Sequence, residues 1–316
     1  MIMEMFRKLK KAGVLGMNKR NADYIMAWNP RSFYPRVDDK ALTKELAIAH
    51  GILTPKTFHI ISHHGEVRHL EEKLRGLEQF VIKPTSGAGG SGILLVAERS
   101  PRGLLKTSGE FLSMEALRYH IFEILSGIHS LGGREDRVLI ESLVQPHHVF
   151  EKVRYKGVPD VRIIVYRGVP AMAMVRLPTM ASDGKANLHR GAIGAGIVIS
   201  TGRTTSAVLG RSVLTKHPDT NVPVAGIELP QWEKMLIMAA KASDMTGLGY
   251  LGVDLVLDRD LGPLLLELNA RPGLAIQIAN RFGLSARLEA IGSQREEIGP
   301  TPEERAGWAM KYFGEQ

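Results

Sequence analysis

The sequence predicts an α+β fold built on antiparallel sheets, and three observations carry that expectation. Apolar runs come in adjacent pairs joined by short turns: residues 161–166 with 171–175 around Arg167-Gly168, and residues 252–257 with 264–268 around a turn at 258–263. Strand and helix signals mix without the strict alternation of a parallel sheet. A glycine-rich run at 87–92 joins two apolar strands instead of opening a helix.

The elements follow in order. Residues 1–36 read as a short helix and then a loop holding Pro30 and Pro35. Asp38 or Asp39 is placed to cap a helix over 40–50, with Leu42, Leu46 and Ala49 on one side, Gly51 as its stop and Pro55 opening the next segment. Strands are expected at 57–61, 80–82 and 93–96, a helix at 111–125, and a buried strand at 138–144. Residues 178–212, rich in Gly, Ser, Thr and Arg, read as working loops. A helix is expected at 232–246, and the tail at 293–306, with Pro300 and Pro302, reads as exposed. The chain thus divides into a short basic segment (1–38), a subdomain with the glycine-rich loop (39–145), a second subdomain (146–290) and a C-terminal tail (291–316).

Composition narrows the function. The chain has 316 residues and no cysteine, which excludes disulfides, thiolate metal sites and a cysteine nucleophile. No apolar run approaches the roughly 18 residues that a membrane span needs. The basic N-terminus lacks the apolar core of a signal peptide, so a cytoplasmic protein is expected. Of the net charge of +8, residues 1–36 carry +6: eight Lys or Arg against Glu4 and Asp23. That arm reads either as a contact for an anionic partner or a membrane surface, or as a solvated helix face. Nucleic acid is not an expected partner, because the charge sits in one short arm without interleaved aromatics. His63-His64 and His147-His148 are adjacent pairs that point to opposite faces of a strand, and they read as surface residues, not zinc ligands.

The glycine run follows Phe80-Val81-Ile82-Lys83-Pro84 and reads Gly87-Ala88-Gly89-Gly90-Ser91-Gly92. It satisfies GxGxxG literally, yet it leads into Ile93-Leu94-Leu95-Val96, so the dinucleotide context fails. A Walker loop fails too, since no Lys-Ser/Thr pair follows the last glycine. What remains is a hairpin loop whose amides can approach phosphate oxygens. Lys83, in an otherwise apolar strand, needs an anionic partner, and a phosphate would serve. The plainer reading is a tight turn with a snorkelling lysine.

The second constellation lies near the C-terminus. Glu267 and Asn269 are two apart on one strand and share a face. With the turn centred near Asp260 and Leu261, Asp254 lies opposite Glu267. Two acids and an amide among leucines are costly unless paired or bound to a cation. Oxygen ligands of this kind suit Mg²⁺ or Mn²⁺. The competing reading is a salt bridge to an arginine. Arg271-Pro272-Gly273 ends the strand, and Arg271 is suited to bind a phosphate or carboxylate.

Taken in order, the motifs Lys40, Ile82-Lys83 with its glycine loop, Leu139-Ile140-Glu141-Ser142-Leu143-Val144, Asp160-Val161-Arg162, Asn187-Leu188-His189-Arg190-Gly191, Gly252-Val253-Asp254 and Glu267-Leu268-Asn269-Ala270-Arg271-Pro272-Gly273 resemble the ATP-grasp superfamily. Within it the chain resembles the RimK-type α-L-glutamate ligases and the related ligase-like group. The resemblance covers about residues 36–285, and the Asn-Leu-His-Arg-Gly string is its most specific part. It implies two α+β subdomains whose antiparallel sheets grip ATP, with a reduced N-terminal segment. It implies that Lys40 and Lys83 contact ATP phosphates and that the loop of Ser86, Gly87, Gly89, Gly90, Ser91 and Gly92 covers them. Glu141 would lie beside the adenine amino group, with the main chain of Ser142 and Val144 as the hinge contact; Glu151 is a weak candidate for the ribose. Asp160 and Arg162 would lie near the transferred phosphate, and Asn187 and Arg190 near the γ-phosphate and acyl group. Asp254, Glu267 and Asn269 would hold magnesium.

The implied activity is an ATP- and Mg²⁺-dependent carboxylate–amine ligase. Its intermediate would be an acyl phosphate, with Arg162 and Arg190 stabilising charge on the transferred group and the tetrahedral oxyanion and Arg271 a further catalytic candidate, and its partners an amino-acid donor and an amine acceptor, such as an acidic peptide or protein. A homo-oligomer is favoured. Rival readings on the same fold are a nucleotide-binding regulator and a kinase-like phosphotransferase. The chain departs from the RimK-type pattern in three ways: only 39 residues precede Lys40, the stretches 100–137 and 199–229 are long, and Arg271 replaces a small residue. These departures affect the acceptor surface more than the ATP and metal residues.

Overall fold

A computed structural model describes residues 2–87, 89–100, 103–130 and 132–314. Two compact units emerge: a glycine-loop unit, Asp38–Glu45 and Thr54–Val144, and a hairpin unit, Met1–Val37, Leu46–Leu53 and Gln145–Gln316.

The glycine-loop unit holds strands β1 (Thr57–Ile61), β2 (Phe80–Pro84), β3 (Leu94–Ser100), β4 (Gly103–Lys106), β5 (Phe111–Leu112) and β6 (Val138–Glu141). They form one sheet in the order β1-β6-β2-β3-β4-β5, with every neighbour antiparallel. Helix Met114–Leu125 packs Leu117, Ile121 and Ile124 into a core with Ile61, Phe80, Ile82, Val96 and Ile140. Those three positions fall at four- and three-residue steps, one stripe of a helix. The sequence pattern places the start of this helix at 111. Instead Phe111 and Leu112 pair with β4, and Ser113 starts the helix by accepting a hydrogen bond from Ala116 N at 3.1 Å. Asp39, not Asp38, caps helix Lys40–Ala49, its Oδ1 accepting from Ala41 N at 2.9 Å.

The hairpin unit holds β7 (Asp160–Tyr166), β8 (Val169–Leu177), β9 (Ile193–Ile197), β10 (Thr204–Leu209), β11 (Ser212–Leu214), β12 (Tyr250–Asp258) and β13 (Gly262–Asn269). Their order is β11-β10-β9-β8-β7-β12-β13, again antiparallel throughout. Both expected hairpins are present. The β7–β8 turn runs through Arg167 and Gly168, each at positive φ, as a two-residue hairpin of matching twist requires. Helix Trp232–Thr246 packs on β7, β8, β12 and β13.

Three expectations are corrected. Residues 178–212 are not loop throughout: they contain β9, all of β10 and the first residue of β11, and β9 is buried along its length. Gly194 and Gly196 are there for close packing: a Cβ at 196 would lie 2.9 Å from Ala279 O and 2.7 Å from Asn280 Oδ1, both in helix Ala275–Asn280. The tail is exposed only in part. It forms helix Pro302–Tyr312, capped by Thr301, and buries Arg305, Ala306, Ala309 and Phe313. Nor is the segment after the first helix a plain loop. Asn29 Nδ2 donates to Tyr250 O at 2.7 Å and Ala270 O at 3.0 Å, while its Oδ1 accepts from Tyr250 N at 2.9 Å. Leu15 and Gln277 exchange hydrogen bonds at 2.7 and 3.1 Å. Lys8, Lys10 and Lys11, on helix Ile2–Lys11, are exposed. Among the described residues no helix is long and apolar enough to cross a membrane.

Candidate active site

Lys83 stands in β2, which is buried at every position. Its ammonium pairs with Glu141 Oε1 from the neighbouring strand β6. The other carboxylate oxygen lies 2.5 Å from Lys44 Nζ, which also donates to Pro55 O at 2.5 Å. All three side chains are at least nine-tenths buried. Burial alone would push the Glu141 carboxyl up, but the two lysines outweigh it and hold it below its ordinary value. Burial lowers Lys44, only partly offset by Glu141. Two cations against one anion leave a net positive charge, a balance that favours an incoming anion.

The glycine loop starts beside this triad in sequence and is tied at its base. Lys40 Nζ donates to Gly87 O at 2.6 Å. Asp136 accepts from Thr85 Oγ1 at 2.7 Å, Ser86 N at 3.0 Å, Ser130 Oγ at 2.6 Å and Arg137 N at 2.7 Å. Burial raises the Asp136 carboxyl, and these donors together reverse that and lower it. Gly89, Gly90 and Gly92 all have positive φ. Ala88 of the expected loop lies outside the described residues. Ser142 donates its amide to Lys56 O at 2.8 Å and accepts from Lys56 N on its hydroxyl at 2.9 Å, and Val144 is half-buried.

In the hairpin unit the register builds a cross-strand row. Glu267 on β13 is opposite Asp254 on β12, which is opposite Arg162 on β7. A bulge between Asp254 and Leu255 skips Leu266 and sets this alignment. Arg162 Nε and Nη2 donate to the two Asp254 oxygens at 2.7 and 2.5 Å. Arg176 on β8 forks onto Asp160, with Nη2 to Oδ2 at 2.7 Å, and reaches Asp254 Oδ2 at 2.9 Å. Asn269 Nδ2 donates to the same oxygen at 3.2 Å.

The arginines offset burial and hold Asp254 down at about 2. Asp160, buried and close to the Asp254 charge, is pushed up to about 6 although Arg176 opposes the shift. Arg176 is raised by its two carboxylates. The chemistry of this group suits a hard divalent cation: Asp254 and Glu267 carboxylates with the Asn269 amide. Asp254 Oδ2 already accepts three donors. Oδ1 accepts from Arg162 Nε, and a carboxylate oxygen has a further lone pair for a metal.

Asn187, Arg190 and Arg271 take other positions in the same unit. Asn187 caps the turn Leu188–Arg190, its Oδ1 accepting from His189 N at 2.9 Å. Arg190 is exposed, and Arg271, also exposed, lies over the Tyr34 ring at 5.4 Å. The sequence reading missed Lys44, Asp136 and Arg176. Lys44 is one helical turn after Lys40, and Arg176 lies directly across from Asp160, so both had weak signals.

Several solved structures are similar to the chain. The ATP-grasp ligase PsnB complexed with minimal precursor is 15% identical, covers 85% of this chain and 63% of its own, and has a TM-score of 0.45. The D-cycloserine synthetase DcsG is 16% identical, with 90% of this chain and 73% of its own covered and a TM-score of 0.45. D-alanine–D-alanine ligase from Bacillus anthracis is 14% identical, with 84% and 71% covered and a TM-score of 0.46. The chain thus spans less than two thirds of the PsnB length. Among curated proteins none matches the sequence. Residues 19–293, which include the lysine triad, the glycine loop and the cross-strand row, match the sugar-transfer associated ATP-grasp family, and the chain belongs to that family.

Proposed function

We propose that the chain is an ATP- and Mg²⁺-dependent ligase that joins a carboxylate to an amine. The observation that carries this reading is the row Glu267–Asp254–Arg162 on one sheet, with Asn269 bonded to Asp254. It supplies oxygen ligands beside a fixed guanidinium, the combination that phosphoryl transfer needs. The surplus cation of the Lys44–Glu141–Lys83 triad and the glycine loop support nucleotide binding.

Asp254, Glu267 and Asn269 would hold the magnesium, which offsets charge on the phosphates when bound. In the glycine-loop unit, Lys40 and Lys83 would contact nucleotide phosphates, and the loop of Ser86, Gly87, Gly89, Gly90, Ser91 and Gly92 would cover them. Glu141, bound by two lysines, orients Lys83, and the main chain at Ser142 and Val144 takes the adenine. A substrate carboxylate oxygen attacks the γ-phosphorus, the bond to the bridging oxygen of ADP breaks, and an acyl phosphate results. Arg162, placed by Asp254, and Asp160 with it, set the position of the transferred group. Asn187, Arg190 and Arg271 serve the acyl group and its oxyanion. The amine then attacks the carbonyl carbon and phosphate leaves with its electron pair, giving an amide.

The finer reading is a glutamate ligase-like activity toward an acidic acceptor. It rests on the 187–191 string and on the exposed Lys8, Lys10 and Lys11. A second reading, a nucleotide-binding protein without turnover, is favoured by the arginines that already engage Asp254.

The deciding experiment follows ADP release with Mg²⁺, ATP and pools of amino acids and acidic peptides, with mass spectrometry of the products and Glu267→Ala as control. ADP release with a product one water lighter than its two components, lost in the variant, is the expected result. A stable phosphorylated product would replace the ligase with a kinase. ATP binding with no ADP release in any pool would favour the second reading.

A further inference from the structure

We infer that His120, Glu123 and His129 form a zinc site that clamps the end of the glycine loop. The three side chains are half-buried, and their ligand atoms lie within 4.8 Å of one another, the one such group among the described residues. His120 and Glu123 are three apart on helix Met114–Leu125 and share its face. His129 returns to them just after the helix ends.

The outer nitrogens are already committed. His120 Nε2 lies 3.0 Å from Gly92 O. A carbonyl only accepts, so that nitrogen carries the proton and Nδ1 keeps its lone pair. His129 Nδ1 lies 3.1 Å from Ser91 Oγ, while its Nε2 is buried without a hydrogen-bond partner. His120 Nδ1 and His129 Nε2 are 3.7 and 3.8 Å from Glu123 Oε2. Those separations are too long for hydrogen bonds. They are close to the edge of about 3.4 Å expected for a tetrahedron with bonds of about 2.1 Å to zinc. Two imidazoles and a carboxylate suit Zn²⁺, with a fourth position left for water.

The partners that orient both rings, Gly92 and Ser91, belong to the glycine loop. Histidine ligands of metals are commonly held this way through their other nitrogen. A side chain at 92 would push into the His129 ring, with Cβ 2.7 Å from Cγ, so glycine there admits the imidazole. Zinc held by the three ligands therefore fixes residues 91–92 through the two rings. The ligand contacts are the same whether or not the chain is a ligase.

The test uses the full chain, stripped with a chelator, without nucleotide. Zn²⁺ is titrated in competition with a chromophoric chelator. The expected result is one Zn²⁺ per chain, with Glu123→Gln and His129→Gln each weakening binding at least about tenfold, and Ser91→Ala weakening it by a similar factor while leaving every ligand in place. Glu267→Gln leaves zinc affinity unchanged. Zinc also slows amide hydrogen exchange at residues 89–92. Melting in chelator checks that each variant folds; if a ligand variant does not, Ser91→Ala carries the comparison. No stoichiometric binding, equal affinity in all the variants, loss of binding in Glu267→Gln, or unchanged exchange at 89–92 would overturn the inference.

Discussion

Arg162 grips Asp254 at two points, Nε to Oδ1 at 2.7 Å and Nη2 to Oδ2 at 2.5 Å, straight across a pair of antiparallel strands. A lysine at 162 would keep the charge and lose the fork. Arg162→Lys is expected to lower the rate of ADP release by about 100-fold, the scale of losing one donor aimed at developing charge. Activity within twofold of the unaltered protein would remove Arg162 from the phosphoryl-transfer machinery.

Glu141 is the sole carboxylate in its buried triad, so the two sides of the triad are not equivalent. Glu141→Gln leaves two buried lysines facing each other and is expected to cost about 3–5 kcal/mol. Lys44→Met leaves a one-to-one pair and should cost less. Urea unfolding of both variants reads the order directly, and equal losses would show that the pairing does not set the cost.

The hydrogen bonds to Asp136 make it an acid-sensitive anchor for the glycine loop. Its carboxyl is lowered in the folded chain from 3.8. A lowered folded value means stability that is present above pH 3.8 and is lost as pH falls through the folded value. Asp136→Asn should therefore reduce stability at neutral pH and flatten the acid limb of the stability curve below that point. Thermal melts across an acid series, with an unchanged acid limb in the variant, would contradict this assignment.

Asn29 satisfies three main-chain groups of the hairpin unit with one amide. Asn29→Ala is expected to destabilise the protein by about 2–3 kcal/mol, since the groups left behind are buried. Chemical denaturation measures it. A loss under 0.5 kcal/mol (roughly the noise for a surface change) would mean that water replaces the amide.

How far the sequence could be read depended on whether the partners were near in sequence or simply periodic. The β12–β13 hairpin was legible from two apolar runs and a polar turn, whereas Asp254 meets Glu267 only because a bulge follows Asp254, the turn itself pairing Asp258 with Gly262. The α+β class and the helix at 232–246 followed from pattern in the same way. Strand β9 was not legible because its glycines resemble a loop, whereas they serve the approach of a helix 80 or so residues later in the chain. Lys44 could be placed on a helix, but nothing in the sequence says that it meets Glu141 across 97 positions. Arg176 is not legible because the apolar run 171–175 stops one residue before it. His120 and Glu123 carried a local signal in their three-residue spacing, but His129 joins them only through the turn that follows the helix.

The way Asn29 is tied to Tyr250 also sets an order of assembly. During synthesis the N-terminal residues appear first, yet the main chain they bind follows 221 positions later. Everything the glycine-loop unit contains has emerged by Val144. That unit can thus complete its sheet while the first 37 residues still wait for their strand, and such long-range closures slow folding. The nascent chain is therefore finished from its middle outward, with its first segment among the last to be locked.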